Sequence, residues 1–147
     1  MKIKRFNNII RKFIINTAGT AAVEFALLVP LYFFLLFGMT AYGIYFCAAH
    51  SVQQLSADAA RTSIAGLNAQ ERQRLARNFI ETNASGYMFI DPNKLTVNAQ
   101  DSTIDASQFN VVISYDASEL PIWALWKTLP MPGRIIARSA TIRLGGI

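Results

Sequence analysis

Gly19-Thr20-Ala21-Ala22-Val23-Glu24-Phe25 joins two stretches of opposite character and sets the organisation of the chain. Before it stand five cations, Lys2, Lys4, Arg5, Arg11 and Lys12, with no acid among residues 1–19. After it, Phe25 to Ala49 is an uncharged run of 25 residues, longer than the ~20 needed to cross a hydrocarbon core. The expectation is a single N-terminal transmembrane helix over residues 20–49, preceded by a basic cytoplasmic leader, 1–19, because cations flanking a span resist translocation. Residues 50–147 then form a head on the far side, periplasmic in a diderm cell. A secretory signal has a shorter apolar core and a small-residue cleavage site on its far side, which this arrangement does not match. One feature does not belong to a simple anchor: Glu24 places a carboxylate just inside the apolar stretch. An ionised side chain at the centre of a membrane helix costs about 2.5–3.5 kcal/mol on insertion scales, and less near an end, so Glu24 calls for a partner.

The formal charge of +5 over 147 residues suggests nucleic acid until it is apportioned. The leader holds five of the cations, which leaves nine basic and nine acidic residues in 20–147. That balance argues for no nucleic-acid partner. Lipid around the span is the implied surroundings.

The junction resembles that of the Tad-type pseudopilins, the TadE/TadG-like family, and within it TadE most closely. The residues that carry the likeness are Gly19, then Ala22-Val23-Glu24-Phe25-Ala26, then Pro30 and Gly38. Type IV pilins and type II secretion pseudopilins share the glycine and the glutamate five residues on, but typically begin the mature chain with an aromatic or apolar residue; Thr20 fits the Tad branch. The likeness is strongest over residues 17–43 and weaker at Asp58-Ala59-Ala60-Arg61. It implies a minor pseudopilin, cut after Gly19 by a prepilin peptidase and assisting assembly of a Tad (type IVc-like) pilus. Its implied partners are sister pseudopilins and the Tad inner-membrane platform, and its implied place is the bacterial inner membrane. The processing site would be Gly19, Thr20, Glu24 and Phe25. Cutting there exposes a new α-amine on Thr20, one helical turn from Glu24, so the two can pair within a subunit or between neighbours in assembly. The alternative is an uncleaved bitopic accessory protein of an envelope secretion apparatus, anchored by its helix.

Within the span, Pro30 removes an amide donor and presses on the carbonyl of Ala26, which predicts a kink. Beyond it, Ala48, Val52, Leu55 and Ala59 recur at spacings of four, three and four, so the helix is expected to continue with an apolar stripe until Gly66 ends it. Asp58 is placed to reach Arg61 or Thr62. Asn68 with Glu71 three residues later predicts a capped second helix whose apolar face is Leu75, Ala76, Phe79 and Ile80, stopped at Asn83-Ala84-Ser85-Gly86. Arg72, Arg74 and Arg77 on it read as a solvated surface. From Lys94 the texture turns to β: a short strand at Leu95-Thr96-Val97, alternation of Phe109, Val111, Ile113 and Tyr115 with polar neighbours, and a third strand from Ile135 to Leu144. The expected fold is α+β, with the long helix running into a pilin-like head and covering a small, mainly antiparallel sheet.

Chemistry finds little to work with. His50 is the one histidine and Cys47 the one cysteine; two such groups three residues apart make a poor zinc site, and one cysteine allows no internal disulfide. Asp101 and Asp105 in a Ser/Thr-rich turn are a faint calcium signal, and the EF-hand spacing is absent. The reading is of a non-enzymatic protein with no catalytic, cofactor-binding or metal residues. Leu120 to Pro132 sets Trp123 and Trp126 among prolines and has three readings: a cover for the core, a partner-docking surface, or a membrane-surface anchor.

Overall fold

The computed structural model describes residues 17–105, 107–125 and 132–144. Its elements are helix α1 (Thr17–Ser63), helix α2 (Ala69–Asn83), a 3-10 turn at Ala84–Gly86 and another at Pro92–Lys94, strand β1 (Leu95–Asp101), strand β2 (Gln108–Asp116), the four-residue helix α3 (Ile122–Leu125) and strand β3 (Ile135–Arg143). The chain divides into two compact units at Met39/Thr40.

In the first unit, α1 presents apolar side chains to the outside: Phe25 is 70% exposed, and Leu27, Leu28, Leu31, Tyr32 and Leu35 are likewise exposed. An apolar helix with nothing packed on it is unfavourable in water and is what a bilayer stabilises. Among the described residues, this is the one helix long and apolar enough to cross a membrane. It continues through Pro30 without interruption of its helical assignment.

The second unit is an α+β head. Strands β1, β2 and β3 form an antiparallel sheet in that order. Register pairs Val97 with Ile113 and Ala99 with Val111, then Val111 with Ala140 and Tyr115 with Ile136, so one face of the sheet collects the apolar side chains. The other face carries Thr96, Asn98, Gln100, Asn110, Ser114, Ser139 and Thr141. Phe109, Val111, Ile113 and Tyr115 are all buried, together with Ala48, Val52, Leu55, Ala59 and Ala60 of α1 and Ala76 and Ile80 of α2, in one core. Burying a single Leu or Ile side chain contributes about 1.5–3 kcal/mol, and the α1 stripe and α2 both supply cover for the sheet. Gln53 Nε2 also donates to the carbonyl of Ser139 on β3 at 3.2 Å.

Local signals explain the helix ends. Gly66 N–H donates to the Ser63 carbonyl at 3.0 Å as α1 closes. A Cβ at Gly66 would stand 2.7 Å from both the Arg72 amide nitrogen and its Cγ, so the turn between α1 and α2 passes too close to α2 for any other residue. Asn68 caps α2: its Oδ1 accepts from Glu71 N–H at 2.9 Å, and Glu71 Oε2 accepts from Leu67 N–H at 3.0 Å. The reciprocal arm of the capping box thus lands one residue earlier than the motif's usual donor.

Three expectations need correction. The first strand extends past Val97 to Asp101, because β2 supplies hydrogen-bonding partners as far as Phe109. Asp101 accordingly ends a strand and does not lie in a turn. Arg72 is not solvated: its side chain is only 12% exposed, its Nη2 contacts both Asp101 oxygens at 3.0 Å, and its guanidinium lies over the Phe109 ring at 5.8 Å from the centroid. Its Nε is buried without a hydrogen-bond partner, a cost that the ion pair offsets. Arg74 and Arg77 are exposed, as expected.

Candidate functional site

The junction residues occupy the opening turns of α1. Gly19 and Thr20 fall in its first turn, and a Cβ at Gly19 would meet nothing within 4 Å. The surroundings of Gly19 and Thr20 are open. Thr20, Glu24 and Phe25 are all exposed. Thr20 and Glu24 share a helix face at a separation of four residues. Among the described residues, no ion pair reaches the Glu24 carboxylate.

In the head, Trp123 packs against the core and is partly buried, beside the fully buried Ile122. Its indole N–H donates to the Ala117 carbonyl, and the Arg134 guanidinium sits over the ring at 5.3 Å from the centroid. The polar end and one face of Trp123 are thus occupied from within the head. Trp126 lies outside the described residues.

The titratable groups of the head are tied to structural partners. Asp58 Oδ1 meets Arg61 Nη1 at 3.2 Å, while its Oδ2 accepts from the Tyr87 hydroxyl at 2.8 Å. Burial, with the hydrogen bond and negative charge of Asp58, pushes the Tyr87 phenol up to about 12. Thr62 bonds the Asp58 backbone carbonyl and not its carboxylate. Asp105 accepts from the Ser107 hydroxyl and amide and from Gln108, and these bonds hold its carboxyl below the ordinary range. Lys94 pairs with Glu119, which raises the ammonium's affinity for its proton.

Cys47 and His50 do not converge with a third ligand, and no group of three or more His, Cys, Asp or Glu side chains placed to hold a metal occurs among the described residues. A shallow cavity of about 390 Å³ lies between the end of α2 and the start of β1, lined by Arg77, Ile80, Glu81 and Ala84 on one side and Pro92, Asn93, Leu95 and Val97 on the other. It contains no nucleophile beside a base.

Sequence reasoning passed over Tyr87-Met88-Phe89-Ile90. This turn is closed by Ile90 N–H to the Tyr87 carbonyl at 3.3 Å, with Phe89 at φ 59°. The available signal was four consecutive apolar residues in a loop, between the helix stop at Gly86 and Pro92.

Residues 19–61 match the family described as TadE-like protein. The match begins at Gly19 and ends at Arg61, two residues before the end of α1. The chain thus carries a TadE-like segment, and residues 62–147 lie outside it. Neither the comparison with curated proteins nor that with solved structures finds a match.

Proposed function

We propose that this chain is a minor pseudopilin of a Tad pilus and secretion system, trimmed between Gly19 and Thr20 by a prepilin peptidase. One observation carries the reading: the TadE-like match opens on Gly19, beside an exposed bond and one turn before a carboxylate with no ion pair among the described residues. The roles divide by chemistry. Gly19, without a side chain, lets a peptidase close on the backbone. Phe25 and the apolar residues after it hold the helix in lipid, single-pass, with the N-terminus in the cytoplasm and the head in the periplasm of a bacterial inner membrane. After cleavage, the Thr20 ammonium and the Glu24 carboxylate of neighbouring subunits neutralise one another. In hydrocarbon that pairing is worth more than at a wet surface, because the alternative is an isolated charge. Contacts between helices and between heads then join this subunit to sister pseudopilins and the inner-membrane platform. The work is done by surfaces, without catalysis.

The test is the mass of the protein purified from membranes of cells with an active prepilin peptidase. A chain beginning at Thr20, with Gly19→Leu accumulating as precursor, is the expected outcome. A chain that keeps its leader under those conditions would falsify processing and leave an uncleaved bitopic accessory protein.

A further inference from the structure

The last uncharged turns of α1 and the Tyr87–Ile90 turn belong to the same compact unit, and two contacts fix the turn along the helix. The Tyr87 hydroxyl donates to Asp58, and the Met88 thioether sulfur stands 3.4 Å from the Cys47 thiol. Cys47 directly follows Phe46, the last large apolar side chain that α1 exposes. Met88 is 62% exposed and Phe89 41% exposed, although both are large and apolar. Phe89 also occupies the third position of a β-turn with φ 59°, where glycine or asparagine is the unstrained choice. A strained, exposed aromatic next to an exposed methionine is costly in water. Phe46, also exposed, adds a third apolar side chain one residue from Cys47.

The opposite end of the head gives the comparison. From Cys47 to the end of α1 at Ser63 the helix rises about 24 Å. Leu67, just beyond that end, is 91% exposed, and the Arg72–Asp101 ion pair brings the tip of β1 to the same end. Exposed apolar residues there lie far along the helix from Phe46, where the exposed apolar surface of α1 ends.

We propose that the Met88–Phe89 turn is a second membrane contact, inserted in the lipid interface on the side where the head emerges. The occupant is the bilayer itself, at the boundary between headgroups and acyl chains, because the turn is pinned to the helix at the end of the span. Aromatic and thioether side chains suit that zone: they bury apolar area while the backbone polar groups of the turn remain near water. The head is thereby held to the membrane by α1 and by this turn.

This rests on α1 being a membrane span, and the experiment separates the two statements. The full-length wild-type chain is reconstituted in phosphatidylcholine and phosphatidylglycerol vesicles containing a lipid with a diazirine near the top of one acyl chain. After illumination, lipid adducts are mapped by mass spectrometry. Adducts on the peptide containing Met88 and Phe89 at five-fold or more the level on the peptide containing Leu67, together with adducts on Leu27–Leu36, support the proposal. Adducts on Leu27–Leu36 with none above the Leu67 level on Met88–Phe89 overturn it and leave the span standing. Absence of adducts from both overturns the span reading as well. As a second measurement, Cys47→Ala/Met88→Cys carrying an environment-sensitive fluorophore should be quenched by brominated lipid, whereas Cys47→Ala/Leu67→Cys should not. A label at 88 that is shielded from water but untouched by brominated lipid means a protein neighbour covers the turn, and it overturns the lipid assignment.

Discussion

Gly66→Ala tests whether the turn between α1 and α2 is decided by space or by backbone conformation. The usual reason for glycine after a helix is a left-handed residue, but Gly66 does not occupy that region. An added methyl would instead come within 2.7 Å of the Arg72 backbone nitrogen and Cγ and 3.0 Å of its Cα. The Arg72 amide is already bonded to the Asn68 carbonyl at 3.0 Å in the first turn of α2, so it does not yield freely. Overpacking of this kind costs about 1–3 kcal/mol. Alanine also removes freedom from the unfolded chain, which offsets roughly 0.4–1 kcal/mol. The net expectation is destabilisation by about 1–2 kcal/mol, read as a lower urea midpoint for loss of tryptophan fluorescence from the head of the full-length protein in detergent. Arg72→Ala in the same background removes the Cγ contact but leaves the nitrogen in place, so it should not restore stability. An unchanged or raised midpoint for Gly66→Ala alone would refute the steric argument, since only the unfolded-state term would then be operating.

Glu24→Gln keeps the size of the side chain and removes its charge, so insertion should be unaffected while co-purification with sister pseudopilins falls; piliation at the wild-type level would remove the ammonium–carboxylate pairing from the mechanism. Trp123→Ala strips a partly buried indole of its bond to Ala117 and its contact with Arg134 and should cost about 2–4 kcal/mol of head stability, measured by circular dichroism during urea unfolding. If the variant folds as the parent and loses only partner capture, Trp123 is a docking residue. Tyr87 should ionise near 12, with the free phenol at 10, in an absorbance titration. Below pH 10 both folded and unfolded chains keep this proton. Between 10 and 12 the unfolded chain loses it first, so stability falls as pH rises, and Tyr87→Phe should abolish that part of the alkaline loss.

Local chemistry accounts for what was legible in the sequence. The α1 stripe from Ala48 to Ala59 and the alternation from Phe109 to Tyr115 each declare a buried face within one element, and both faces meet in the core. Asn68 and Glu71 declare a helix start because capping needs only neighbours along the chain. Arg72 was misread for the complementary reason: its partner, Asp101, is 29 residues away and reaches it only after β1 has paired with β2. The same limit hid Tyr87, whose hydroxyl finds Asp58 across the fold. The junction at Gly19 was legible as a pattern on which the TadE-like match begins, while the cleavage and subunit contacts proposed for it involve other molecules, which no single folded chain supplies.

That contrast explains how the two units divide the labour. From Thr40 onward, apolar side chains of α1, α2 and the sheet pack into one core, although Phe46, Leu67, Met88 and Ile104 among others stay exposed, and the head's charged groups are largely held in pairs or capped turns. Before Thr40 the apolar surface is exposed and Glu24 has no ion pair among the described residues. A helix left in this condition is costly for a protein that works alone in water, and it is suited to one whose stable surroundings are first lipid and then other helices. Exchanging lipid for neighbouring helices changes the apolar free energy little, because both are equally apolar. Under the proposed function, assembly is favoured by close packing and by neutralisation of Glu24, the one carboxylate among residues 17–39 of α1.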